Sequence, residues 1–189
     1  KYYDHLVNFT LNTNSDGVLQ ELKLTVRLGS RCIANDTLSL IHAPTISGNK
    51  IVWTVDRNYK GDIYLYDLDA QQETHITTDP YKQSEPAISG NKIVWTDFRN
   101  GPGSDIYLYD LDTNKEMRIT TKPTAKSPTA ISGNKIVWSD FRNSNGDIYH
   151  YDLGAGQEIP ITTNPAPQFH PAISGNKIVY MDDRSGNYN

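Results

Sequence analysis

The sequence predicts an all-β chain folded as a β-propeller of four-stranded antiparallel blades, with about 42 residues per repeat. Three observations point there. The stretch Pro86-Ala-Ile-Ser-Gly-Asn-Lys-Ile-Val-Trp-Thr-Asp-Phe-Arg99 recurs with small changes at 44–57, 128–142 and 171–184. The aromatic residues that close its Ile-Val-aromatic triplet, Trp53, Trp95, Trp138 and Tyr180, follow one another at intervals of 42, 43 and 42 residues. No segment sustains apolar residues at three- and four-residue spacing, so helix is not expected.

Within each repeat the four strands follow from local pattern. Proline before Ala-Ile-Ser suits the first residue of strand A, where no ladder donor is lost. Gly-Asn between two apolar runs, as in Ser89-Gly90-Asn91-Lys92, favours a two-residue type II′ hairpin into strand B. Ile-Val-Trp is apolar on consecutive positions, which implies burial on both faces. A variable turn follows, at 58–61, 100–104 and 143–146. Strand C is Asp-Ile-Tyr-Leu-Tyr-Asp-Leu at 105–111, opened by Asp62 and Asp147 in its counterparts. Strand D, for example 116–121, is shorter and more polar, as suits a blade's outer edge.

Residues 44–189 thus comprise three full blades and an A–B half blade. Residues 1–43 lack the signature, and two readings stay open: a worn half blade of strands C and D, or a β-rich linker. Placing Leu11-Asn-Thr-Asn14 over Leu111-Asp-Thr-Asn114 supports the first. Pairing of the two halves would close a four-bladed ring; otherwise the chain is part of a larger propeller, whose open edges invite self-association.

The series Ile-Ser-Gly-Asn-Lys-Ile-Val-Trp, Asp-Phe-Arg-Asn-Gly, Asp-Ile-Tyr-Leu-Tyr-Asp-Leu and Ile-Thr-Thr resembles the TolB-like β-propeller repeat. It is more similar still to the propeller repeats of archaeal and bacterial cell-surface and surface-layer proteins. Ser-Gly-Asn-Lys stands where the general TolB-like turn has Ser-Pro-Asp-Gly-Lys, a departure that leans away from the TolB protein itself. The resemblance implies a noncatalytic binding or scaffold module of a cell-surface or secreted protein, with the periplasm as the alternative location. Rings of this type also accompany prolyl-oligopeptidase-type peptidases and form the body of oligogalacturonate lyase, which supplies an enzyme-associated alternative.

Composition narrows the partners. A net charge of −4 with dispersed Lys and Arg gives no basic footprint for nucleic acid. No run approaches the ~18 apolar residues of a membrane helix, so membrane insertion of this segment is not expected. The start, Lys1-Tyr-Tyr, has neither Met nor an apolar signal core and reads as a processed protein or a fragment. The single cysteine, Cys32, precludes an intrachain disulfide and a Cys-rich zinc site. Sequons at Asn8 and Asn35 are read first as chance and second as glycosylation sites.

Strand alternation puts the D–A and B–C connections on one face of the ring. The D–A connectors differ in every copy whereas the Ser-Gly-Asn-Lys turns hardly vary, a division suited to recognition of a protein or glycan on the variable face. The candidate rim residues are Tyr81, Gln83, Glu85, Lys126, Gln168, Phe169 and His170. The pairs Asp97 with Arg99, Asp140 with Arg142 and Asp182 with Arg184, and Asp56 with Arg57, recur once per blade and are read as a structural girdle between neighbouring blades. The runs with Asp67 and Asp69, and with Asp110 and Asp112, fall short of the roughly six to eight oxygens calcium takes and are assigned to turn hydrogen bonding. The five histidines form no metal-ligand pair and no nucleophile elbow is present. No catalytic residue, metal or cofactor is expected.

Overall fold

The computed structural model describes residues 5–13, 19–28, 31–34, 40–57 and 60–184, with the side chains of 41–56, 60–126 and 129–184. These residues are strands and turns, without helix. The first three strands, β1 (His5–Thr13), β2 (Leu19–Leu28) and β3 (Arg31–Ala34), form an antiparallel sheet in which β2 is central. Three four-stranded sheets follow. The first holds β4 (Leu40–Ser47), β5 (Lys50–Arg57), β6 (Lys60–Asp67) and β7 (Gln72–His75). The second holds β8 (Gln83–Ser89), β9 (Lys92–Asp97), β10 (Asp105–Asp110) and β11 (Lys115–Arg118). The third holds β12 (Lys126–Ser132), β13 (Lys135–Asp140), β14 (Asp147–Asp152) and β15 (Gln157–Pro160). A two-stranded sheet of β16 (Gln168–Ser174) and β17 (Lys177–Asp182) is the last.

Each sheet runs as an antiparallel meander, and the first strands β4, β8, β12 and β16 pack beside one another. They are therefore the innermost. Burial of Ile-Val-Trp on both faces is what stacks the blades. Val52, Ile63 and Leu65 of the first full blade meet Ile88, Ile93, Trp95 and Tyr107 of the second. Val94, Ile106 and Leu108 of the second meet Ile131, Ile136, Trp138 and Tyr149 of the third. At about 25 cal/mol per Å² of apolar surface removed from water, these two seams are the main stabilising term. Among the described residues β16 and β17 pair with each other and β1–β3 form a sheet of their own.

The A–B turns have positive φ at Gly48, Gly90, Gly133 and Gly175 and not at the following Asn, as a type II′ hairpin requires. The serine before each glycine performs a second task. Ser47 Oγ accepts from Gly90 N, Ser89 Oγ from Gly133 N and Ser132 Oγ from Gly175 N, each at 2.9 Å, so every turn is bonded to the next blade's turn. Asn49 and Asn91 donate to Asp69 and Asp112 and hold the C–D turn, which Asp67, Asp110 and Asp152 cap through backbone amides. The threonine that follows each strand D closes the other end, since Thr77, Thr120 and Thr162 accept the first isoleucine amide of strand C.

Strand A differs from expectation. It begins two to four residues before the proline, and the register shifts between Ser84 and Ala87 and between Phe169 and Ala172. Pro86 and Pro171 lie in a β-bulge, where the missing amide is not needed by the ladder. Glu85 and His170, just before these prolines, have φ of 54° and 51°. Residues 58 and 59 of the first variable turn, the end of the chain from 185, Asn35, and the side chains of Cys32 and Arg57 lie outside the described residues.

Candidate recognition face

The B–C and D–A connections meet on one face. Phe98 N donates to Lys82 O at 3.0 Å, Phe141 N to Ala125 O at 3.1 Å and Asp183 N to Pro167 O at 3.1 Å, so in the second and third blades and the last hairpin one connection is bonded to the other. Tyr81 on a D–A connector is 56% exposed, and Phe98 and Phe141, each the residue after strand B, are both 38% exposed. Phe141 stacks on Phe169 of the next blade with ring centroids 6.1 Å apart. A row of outward aromatic side chains thus follows the inner rim.

The seven candidate residues divide sharply. Tyr81 and His170 are exposed, and Glu85 and Phe169 are half-buried. Gln83, Lys126 and Gln168 are buried, because they are the first residues of the inner strands and not loop residues. Lys126 is 1% exposed; its ammonium donates to Ser104 O at 2.9 Å, Lys122 O at 2.6 Å, Thr124 O at 2.9 Å and Thr124 Oγ1 at 3.2 Å. Burial lowers its pKa while Asp140 and Asp105 oppose that shift. Such an ammonium is saturated from within and presents nothing at the rim. Gln83 and Gln168 use their amide nitrogens in the same way, on Tyr81 O and Ala166 O.

Phe98 and Phe141 were missed at the sequence level because they belong to the repeated Asp-Phe-Arg framework. The signal available was a large apolar residue inside a polar turn, present in two copies and absent from the last, where Asp183 stands.

The Asp–Arg pairs run within blades and not between them. Asp97 accepts from Trp95 Nε1 at 2.9 Å and from Arg99 Nη2 at 2.6 Å; Arg99 then reaches Glu116 of strand D at 2.7 Å and covers the Tyr107 ring at 4.3 Å. Asp140, Trp138, Arg142, Glu158 and Tyr149 repeat the arrangement. It ties strands B, C and D of one blade together, because Trp, Asp and Arg follow one another along a single strand end. Burial alone would lower the Arg99 and Arg142 pKa values, but the hydrogen bonds these guanidinium groups donate to their aspartates and glutamates raise both above the ordinary arginine range. Asp182 pairs with Arg184 at 2.8 Å and also accepts a hydrogen bond from the Gln168 side chain. In the first blade Val55 occupies the place of Asp97, and Asp56 pairs instead with His42 at 3.0 Å.

Two cavities stand out. One of about 480 Å3 lies at the outer edge between the second and third blades, with Leu108, Met117 and Leu153 as floor and Lys92, Asp110 and Lys115 around it. The other, about 370 Å3, opens on the loop face at the last seam, beside Asn164, Gln168, Tyr180, Asp182 and Arg184. Among the described residues no three His, Cys, Asp or Glu side chains gather as metal ligands.

No protein-family model matches this sequence, and no curated protein is similar to it. Solved structures are similar in fold. TolB from Acinetobacter baumannii superposes with a TM-score of 0.69 at 24% identity, over 89% of this chain and 44% of that one. The fold is a β-propeller. A putative TolB from Agrobacterium tumefaciens matches this propeller at a TM-score of 0.66 and 18% identity, over 94% of this chain and 70% of that one. Prolyl endopeptidases analysed for inter-domain dynamics in catalysis and specificity match at 0.64 and 14% identity, over 93% of this chain and 31% of theirs. The propeller described above spans less than half the length of the Acinetobacter protein.

Proposed function

We propose that this chain is a noncatalytic propeller module of a cell-surface or secreted protein, of surface-layer type, that recognises a protein or glycan through its D–A/B–C face. The observation that carries this reading is the exposed aromatic row Tyr81, Phe98 and Phe141 on the face whose connectors vary between copies. Outward aromatic rings contribute stacking area at little entropic cost, and part of each of these rings remains open to solvent. The opposite face is sewn turn to turn and offers a uniform polar surface. The histidines support a noncatalytic reading: His42 pairs with Asp56, His75 stacks on Tyr64 at 4.4 Å, and His150 is buried between blades.

A glycan array and a panel of surface proteins, probed with the whole chain, test the reading. Phe98→Ala and Phe141→Ala are expected to weaken the captured partner by tenfold or more while Ser89→Ala leaves it unchanged; the reverse pattern would move the site to the other face. The second reading is the propeller domain of an enzyme, of the prolyl-oligopeptidase-type peptidase or oligogalacturonate-lyase-like kind. A hydrolase domain in the same open reading frame would select it. Self-association through open blade edges is the accompanying proposal, and light scattering over a concentration series tests it.

A further inference from the structure

The 480 Å3 cavity at the outer edge between the second and third blades is lined by three residues that depart from their counterparts at the preceding seam. Lys115 stands where the first blade has Gln72, each opposite the aspartate that ends strand C. Met117 stands where that blade has Thr74, each opposite the leucine of strand C. On the third-blade wall Gly154 takes the place that Asp69 and Asp112 hold in the other two C–D turns. Asp to Gly and Gln to Lys each add one unit of positive charge, so this lining is two units more positive than its counterpart.

Asn134, on the same wall, loses the partner its sisters have. Asn49 Nδ2 donates to Asp69 at 2.9 Å and Asn91 Nδ2 to Asp112 at 2.7 Å, whereas glycine at 154 has no side chain to accept. The two carboxylates that line the cavity are already engaged. Asp110 accepts the Asp112 and Thr113 amides at 2.9 and 3.2 Å and faces Lys92 Nζ at 4.0 Å, and Glu116 accepts from Arg99 Nη1 at 2.7 Å. Lys115 has no ion pair among the described residues. The floor is apolar: Leu108 is buried, Leu153 half-buried, and Met117 is 45% exposed above them. An apolar floor bordered by an unmatched amide donor and an unmatched ammonium suits a molecule with one carboxylate and a short apolar body.

We propose that this cavity binds a small apolar monocarboxylate, whose carboxylate stands in for the aspartate absent at 154. The carboxylate accepts from Asn134 Nδ2 and pairs with the Lys115 ammonium, and the apolar body covers Leu108, Met117 and Leu153. A cationic ligand meets Lys115 with no unengaged carboxylate to offset it, and an inorganic anion leaves the apolar floor uncovered. The lining comes from A–B and C–D turns and the strands beside them, apart from the aromatic row on the D–A/B–C face. The proposal therefore does not rest on recognition at that face.

Hexanoate, hexanol and hexylamine, titrated into the whole chain and followed by amide nitrogen–proton correlation spectra, test it. Hexanoate should bind with a dissociation constant of about 1 mM, as befits a ligand of so few heavy atoms in an open site. It should shift the Asn134 side-chain amide and the backbone amides of Leu153 and Gly154, while hexanol and hexylamine bind at least about tenfold more weakly. Gly154→Asp, which copies the sister turns, should weaken hexanoate at least about tenfold. Gly154 lacks a positive φ, and an added Cβ would meet only Asp152 Oδ1, at 3.2 Å, so the turn accepts aspartate here as it does at 112. Lys115→Gln and Met117→Thr, exposed positions that copy the first blade, should each weaken hexanoate by about two- to fivefold without lowering the melting midpoint. Hexanol bound as tightly as hexanoate, shifts confined to other parts of the chain, or binding undiminished in both Gly154→Asp and Lys115→Gln would each overturn the proposal.

Discussion

His150→Leu should stabilise the protein, and more so in mild acid. His150 stands where the first two blades have Leu65 and Leu108, on the face that meets the next blade. It is buried, and its Nε2 has no hydrogen-bond partner. An unsatisfied buried nitrogen costs about 1–3 kcal/mol, and leucine removes it while keeping the seam filled. The variant is therefore expected to gain about 1–3 kcal/mol at pH 8, or roughly 2–10 °C in melting midpoint for a chain of this size. Burial lowers the His150 pKa below 6.5, with Lys135 acting the same way and Asp152 opposing. The unfolded chain thus binds this proton more readily than the folded one, so the parent loses stability as pH falls below about 6.5 toward the lowered value. The leucine variant lacks that component, and the gap between the two should widen from pH 8 to pH 5.5. Urea melts at both pH values measure it. A variant no more stable than its parent, or a gap that stays constant with pH, would refute the assignment of His150 as a neutral, unsatisfied seam residue.

Lys126→Met should cost about 3–5 kcal/mol in chemical denaturation, because it strands the carbonyls around the ammonium and leaves Asp105 with Arg118 alone; Lys126→Gln, the residue native to the other two seams, should cost less than half of that. Ser89→Ala removes one exposed inter-blade bond, that to Gly133 N, and should cost about 0.5–1 kcal/mol in the same measurement. Asp140 titrates below its ordinary value: burial raises it, but hydrogen bonds from Arg142, Trp138 and Thr124 outweigh burial. Its contribution is present above about pH 4 and is lost as pH falls through the lowered value, so acid unfolding followed by tryptophan fluorescence should begin below pH 4 and flatten in Asp140→Asn.

The repeat made the blades legible because each framework residue satisfies a local rule that reads directly from sequence. Gly-Asn specifies the turn, Ile-Val-Trp specifies burial on both faces, and Asp after Tyr caps the next turn. Residues governed by neighbours from other strands were not legible. Proline before Ala-Ile-Ser reads as a strand start, yet the bulge at Pro86 lets strand A begin at Gln83, which carries Gln83, Lys126 and Gln168 inside. A polar residue in a variable segment resembles a loop residue until the bulge is seen. The Asp–Arg pairs were correctly spaced for bonding, but direction along the strand, and so blade membership, depends on Glu116 and Glu158 across the sheet.

Once the register makes positions equivalent, the differences between copies carry more chemistry than the likenesses. Leu65 and Leu108 become His150; His75 and Arg118 become Pro160; Lys126 becomes Gln168; Phe98 and Phe141 become Asp183. The first three fall at the seam between the third blade and the last hairpin, where a leucine gives way to a buried imidazole and two cations give way to Pro160 and Gln168. Mild acid acts there through His150. That seam is the one mild acid weakens, while the Ser-Gly bonds tie every turn, the last hairpin's included, to its neighbour.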